Sequence, residues 1–210
     1  MYHFGKRVFD VLVAGALLAL LTPVLLAIAL IIRVSSLGPA IFKQQRAGRD
    51  GKPFMCYKFR TMRLEVDPFG PSPKSGQDKR LTRIGRFLRD YSLDELLQLF
   101  NIVLGDMSFV GPRPLYVSQI PEWSQRQKKR LLVKPGLTGL AQVYGRGGLT
   151  REEKLELDVQ YVETANVWLD GKIILMTAFQ VFGRKGVYEE CYSATQRTRG
   201  DGATEPSDSR

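Results

Sequence analysis

A mostly helical α+β fold with a single β-hairpin and an apolar N-terminal segment is predicted by three observations. No charged residue falls between Asp10 and Arg33, so the run Val8 to Ile32 is a membrane-segment candidate. Ala40 to Gln45 and Pro53 to Phe59 read as short strands around the polar turn Arg46-Ala47-Gly48-Arg49-Asp50-Gly51, which makes a hairpin. Farther on, apolar residues recur at helical spacing, and two segments open with Ser or Thr three residues ahead of Glu.

The apolar run is basic on both flanks, with Lys6 and Arg7 before it and Arg33, Lys43, Arg46 and Arg49 after it. The positive-inside bias therefore assigns both ends to the cytoplasm. Pro23 divides the run, and proline both removes an N–H and clashes with the carbonyl four residues back. The two arms would each be roughly 14–21 Å long at 1.5 Å per residue, short of a hydrocarbon core of about 30 Å. Pattern alone leaves a re-entrant helix-break-helix and a kinked spanning helix both open. Asp10, one turn beyond Lys6, is expected to pair with it.

Lys58 and Arg60 alternate with Phe59 and project from one side of the second strand. Glu65 to Arg80 holds three prolines and two glycines and reads as a loop. Leu81 to Tyr91 reads as a basic amphipathic helix, fit either for a bilayer interface or for the domain's own core. Ser92 and Glu95 have capping-box spacing, which predicts a helix from Leu93 to Leu104 with Gly105 as its stop. Pro121 to Val133 is a basic helical stretch with a solvated or headgroup-facing side. Lys134-Pro135-Gly136 breaks it, and the apolar piece Leu137 to Tyr144 follows. Thr150 and Glu153 form a second capping box, opening a helix that carries Asp158 among apolar neighbours, where it could reach a site or pair with a core cation. Val167 to Phe182 reads as a buried or membrane-skimming helix, and the polar residues after Ser193 as disordered.

Composition narrows the chemistry. The 210 residues suit one compact domain with attachments, and 31 Lys plus Arg against 21 Asp plus Glu give a net charge of +10. That balance suits a phosphorylated substrate, acidic headgroups or nucleic acid, although aromatics are sparse among the basic clusters, which weighs against nucleic acid. The one histidine, His3, precedes the apolar run, so neither a Ser-His-Asp centre nor a histidine-bound zinc fits. Cys56 and Cys191 stand alone, as free thiols of a reducing compartment do. Gly145-Arg146-Gly147-Gly148 would let amides approach an anion, but it lacks P-loop or dinucleotide spacing.

Carboxylates, cations and a hard metal ion remain. Asp94 and Glu95 at a helix start could merely complement the dipole, or they could act as nucleophile and metal ligand. Arg113, between Pro112 and Pro114, presents a guanidinium with little conformational loss. Around them the chain reads S-L-D-E-L-x-Q-L-x-N and G-D-M-S-x-V-G-P-R-P. Upstream stand Lys6-Arg7-x-Phe9-Asp10 and Tyr57-Lys58-Phe59-Arg60-Thr61-Met62, and downstream Lys134-Pro135-Gly136-Leu137-Thr138-Gly139 and Gln142-Val143-x-Gly145-Arg146. Together, to about Gly186, these resemble the monotopic phosphoglycosyl transferases, the bacterial sugar transferases.

The resemblance implies a small catalytic domain, amphipathic interface helices and a re-entrant anchor bent at a Ser-Pro pair, here Thr22-Pro23. It divides the chain into an anchor at 1–36, a catalytic domain at 37–192 and a disordered tail at 193–210, like the short members that lack extra spans. It implies that Asp94 attacks the β-phosphate of a UDP-sugar, releasing UMP, and that a polyprenol phosphate such as undecaprenyl phosphate then takes the phosphosugar. Glu95 matches the second acid of the dyad, associated with Mg²⁺ alongside Asp94. Arg89 matches a basic residue near the acceptor phosphate. Arg113 and Arg146 match phosphate-facing residues, and Lys58, Arg60 and Asp158 are carried over as substrate contacts. The implied location is the cytoplasmic face of the bacterial inner membrane, among its lipids, with no nucleic-acid partner and a homodimer left open. Two rivals stand beside it: a membrane-tethered protein binding acidic lipid or RNA, and a hydrolase of the same nucleotide sugar.

Overall fold

A computed structural model describes residues 2–67, 70, 73, 75–145 and 149–182. Helix α1 runs Tyr2–Ser35, and its central window reaches a mean hydropathy of 2.7, so it is long and apolar enough to cross a membrane. Strands β1 (Ile41–Ala47) and β2 (Pro53–Phe59) pair antiparallel, with Ile41 opposite Phe59 and Ala47 opposite Pro53. The hairpin forms as the sequence predicts, and Asp50 (φ 57°) and Gly51 (φ 74°) supply its left-handed turn residues. Helix α2 (Arg83–Asp90) is capped by Thr82, whose hydroxyl accepts from the Gly85 N–H at 2.8 Å. Helix α3 spans Gln98–Leu104 and stops at Gly105, which takes φ 97° and donates to the carbonyls of Asn101 and Ile102.

Strand β3 (Ser108–Val110) pairs in parallel with β4 (Gly136–Thr138), a two-stranded sheet the sequence does not announce. Short helices α4 (Gln125–Lys128) and α5 (Leu140–Tyr144) follow on either side of β4. Helix α6 (Arg151–Thr164) opens with the Thr150–Glu153 capping box, formed in both directions. Helix α7 (Val167–Phe182) buries Ile173 and leaves Trp168 and Phe179 largely exposed.

Three apolar clusters hold these elements together, and α1 is built into two of them. Leu25, Ile28 and Ile32 pack with Phe59, Leu88 and Leu97, and Ala14 packs with Cys56, Leu99, Ile102 and Met107. Leu18 and Leu21 touch both clusters. The third cluster joins Val110, Leu140, Val143, Tyr161 and Ile173. Of α2, Leu88 and Ile84 face the core, while Phe87 stays half exposed against Tyr91. That helix thus takes the core-packing option and keeps one ring outside.

Two expectations for α1 need correcting. The helix is continuous through Pro23, with no break at Thr22-Pro23; the Thr22 hydroxyl donates to the Leu18 carbonyl at 2.6 Å, one turn back. Asp10 does not pair with Lys6. Asp10, 2% exposed, accepts the Phe109 N–H at 3.1 Å, and Lys6 reaches Asp170 at 2.6 Å. Tertiary partners 99 and 164 residues away override the local i,i+4 option. The expected tail after Ser193 lies outside the described residues, as does Cys191.

Candidate functional site

Asp94 and Glu95 sit in a single 3-10 turn, Leu93–Glu95, between α2 and α3. This corrects the helix start read at Ser92. Ser92 lies in the left-handed region (φ 57°, ψ 21°) and its side chain makes no cap bond. An N-cap needs extended backbone to aim its oxygen at the third N–H, and the tight reversal out of α2 denies it that. Ser92 N–H instead closes on the Arg89 carbonyl at 2.9 Å, and Glu95 N–H on the Ser92 carbonyl at 3.3 Å. A non-glycine residue at positive φ next to the dyad is local strain at the centre of the site.

Three elements bring cations to this turn. Lys58, near the end of β2, places Nζ 2.6 Å from Glu95 Oε1. Arg113, in the loop after β3, places Nη2 2.8 Å from the same oxygen. Arg89, in the last turn of α2, donates from Nε to the Thr61 hydroxyl at 3.1 Å, and its charge acts on Asp94. Asn101 fixes this side of the site from beneath: buried in α3, it accepts the Tyr57 N–H at 3.1 Å and donates to the Met55 carbonyl at 2.7 Å. That amide satisfies the outer edge of β2 and sets the strand carrying Lys58 against the dyad.

The two acids respond in opposite directions. Burial, then the neighbouring Glu95 charge, push the Asp94 carboxyl up to about 6, against the opposing pull of Lys58, Arg89 and Arg113. Burial would raise Glu95 as well, but Arg113 and Lys58, which act on it both as charges and as hydrogen-bond donors, hold it well below the usual carboxylate range. Asp94 is 7% exposed. No described side chain donates a hydrogen bond to it, and Glu95 Oε2 likewise lacks a donor among the described residues. Asp94 and Oε2 of Glu95 are thus the oxygens available to a ligand. No group of three or more metal-ligating side chains occurs among the described residues. Two carboxylate donors completed by substrate phosphates are nonetheless a set that Mg²⁺ accepts.

The other expected contacts fall elsewhere. Arg60, 6% exposed, directs Nη1 to the Leu37 carbonyl at 2.5 Å and Nη2 to the Ser36 carbonyl and hydroxyl at 3.1 and 2.7 Å. It secures the exit from α1 rather than facing the dyad: β2 ends at Phe59, so Arg60 no longer shares the strand face of Lys58. Asp158, 3% exposed, takes the core-cation option through Arg130, at 2.7 Å. Arg146 lies outside the described residues. Arg130 corrects the solvated reading of the Lys128-Lys129-Arg130 run: Lys129 reaches exposed Glu163, but Arg130 is buried. Nothing in a run of three like charges marks which one turns inward. Thr61 and Asn101 also escape sequence reading, since each acts through a contact distant in the chain.

A family model described as bacterial sugar transferase matches residues 1–184. The chain is 41% identical over 197 residues to an uncharacterized sugar transferase, EpsL, of Bacillus subtilis, covering 94% of this chain and 96% of that one. It is 47% identical over 186 residues to a UDP-glucose:undecaprenyl-phosphate glucose-1-phosphate transferase of Caulobacter vibrioides, covering 82% and 67%. A Klebsiella pneumoniae protein with the same activity name is 42% identical over 191 residues, and there the match spans only 41% of the relative's length. With a match over all the described residues, on top of an acid dyad ringed by cations, the chain belongs to the bacterial sugar transferase family and is an enzyme of that family.

Proposed function

We propose that the enzyme transfers a sugar 1-phosphate from a UDP-sugar to a polyprenol phosphate, through a covalent intermediate on Asp94. An Asp94 oxygen attacks the β-phosphorus, the bond from that phosphorus to the bridging oxygen breaks, and UMP leaves with the bond electrons. The phosphosugar then rests on Asp94 as an acyl phosphate. An oxygen of the polyprenol phosphate attacks the same phosphorus, the carboxylate is released, and a polyprenyl-diphosphate sugar results. Lys58, Arg89 and Arg113 offset the charge gathered by two phosphorylated substrates, the main demand of phosphoryl transfer. Mg²⁺, held by Asp94 and Glu95 together with substrate phosphates, would supply further charge neutralisation. The observation that carries the reading is the dyad's asymmetry: Glu95 is locked by two cations, while no described side chain donates a hydrogen bond to Asp94 beside it.

We assign 1–36 to the anchor, 37–192 to catalysis and 193–210 to a tail, with the site facing the cytoplasm at the inner membrane. The supporting observation is that both ends of α1 are tied to one domain. Arg7 donates to the carbonyls of Ile102 and Val103, Lys6 pairs with Asp170, and Arg33 reaches the Gly38 carbonyl. An unbroken helix packed on one domain from Ala14 to Ile32 supports an anchor with both ends on one side of the membrane.

UDP-glucose is the first donor to test, because relatives are named for it. The wild type should release UMP and yield an isolable phosphosugar adduct. Asp94→Asn should abolish both, and full turnover by that variant would remove the covalent route. Sugar phosphate released steadily without polyprenol phosphate would make the enzyme a hydrolase instead.

A further inference from the structure

The Arg113 guanidinium reaches Glu95 from a loop, and the peptide that carries it is gripped by buried side chains of other elements. Arg130, 3% exposed, donates from Nη2 to the Arg113 carbonyl at 2.6 Å. Its Nε and Nη2 both meet Asp158 Oδ2, at 3.1 and 2.7 Å, and its guanidinium lies 4.9 Å over the Trp123 ring. One residue on, the Pro114 carbonyl accepts from Arg46 at 3.4 Å, with that guanidinium stacked 3.9 Å over Tyr116.

Burying an ion pair gains little stability over a well-packed apolar pair of the same volume. What apolar residues could not supply at this place is a donor fixed onto the Arg113 peptide. The planar fork of Arg130 fits that task, since two edges are taken by Asp158 and the carbonyl at once. Asp158, buried, engages Arg130 through Oδ2. It locks the fork, and the fork locks the backbone.

We propose that Arg130 and Asp158 are positioning residues, which hold the Arg113 peptide so that its guanidinium stays on Glu95. The proposal rests on the sugar-phosphate transfer reading, because only there does the Arg113–Glu95 contact matter for rate. It predicts that Arg130 acts on the reaction through Arg113 alone.

The test is a double-mutant cycle on the full-length protein, reading UMP release from UDP-glucose with undecaprenyl phosphate. Arg130→Lys keeps the charge and loses the fork. It should lower kcat by about 10- to 100-fold, the scale of a small misplacement of a reacting group. Added to Arg113→Gln, the same change should lower kcat no further. A second loss of equal size in the double variant would overturn the proposal, as would wild-type kcat in Arg130→Lys. Should Arg130→Lys not fold, Asp158→Asn, which leaves the fork a neutral acceptor of the same shape, takes its place in the cycle. A readout free of turnover is the Arg113 guanidinium Nε–H resonance by ¹⁵N NMR in the resting protein. It should shift in both Glu95→Gln and Arg130→Lys, and an unmoved resonance in Arg130→Lys overturns the proposal. If no UDP-sugar yields UMP with the wild type, the transfer reading fails, and this resonance still decides whether the pair positions Arg113.

Discussion

Asp94 and Glu95 are chain neighbours, the first buried and the second partly so, and the placement of two cations separates them. Lys58 and Arg113 bond to Glu95 and act on Asp94 only through space. A nucleophilic carboxylate must be ionised, and with Asp94 raised to about 6 the ionised fraction falls as pH drops through that value. Single-turnover UMP release should therefore be about tenfold slower at pH 5 than at pH 7.5. Glu95→Gln removes the negative neighbour that is the second cause of the rise, so the acid limb should move to lower pH even though the overall rate falls. A limb that stays in place would mean that another group sets it. The dyad itself is legible in the sequence because both acids are adjacent. Its asymmetry is not, since the cations arrive from 37 and 18 residues away. Arg60 illustrates the same limit: its type suits a phosphate, but three oxygens of Ser36 and Leu37 claim it.

Elements defined by local chemistry are the ones the sequence displays. The hairpin follows from its turn residues, and α6 from Thr150 and Glu153, whose partners are three residues apart. The parallel pair β3–β4 is hidden because each strand has three residues and the two lie on either side of α4. Ser92 carries the right letter for a cap but the wrong backbone, and only the packing of α2 against its surroundings decides that. Gly85 shows how tight this packing is. A Cβ there would run into the carbonyl group of Thr61, the residue whose hydroxyl also receives Arg89. Gly85→Ala should cost about 1–3 kcal/mol by overpacking. It should also lower UMP release beyond the loss of folded protein, because α2 carries Arg89 toward the dyad. Thermal unfolding in detergent and specific activity per folded molecule separate the two effects. Activity equal to wild type at a lowered midpoint would show that Arg89 tolerates the shift.

At the scale of the whole molecule, the apolar helix and the domain share one interior. Its ends are clasped by Asp170 at one side and by the Arg33–Gly38 contact at the other, and Tyr2 and Tyr161 join the Asp170 clasp at 2.8 Å each. A tag placed before Tyr2 should accordingly be reached by membrane-impermeant reagents only after the cytoplasmic side is opened. Labelling from the periplasm of intact cells would instead make α1 a spanning helix. The sequence indicates an anchor through its hydropathy, yet hydropathy cannot tell lipid-facing from core-facing leucines. Ala14, Leu25, Ile28 and Ile32 are buried by protein, whereas Leu20, Leu26 and Leu30 are not. Trimming the gene to begin after residue 36, the usual route to a soluble fragment, would therefore remove one wall of the building along with its foundation. The expected product is aggregated material on gel filtration, with the hydrophobic residues Cys56, Leu88, Leu97 and Met107 laid open to water.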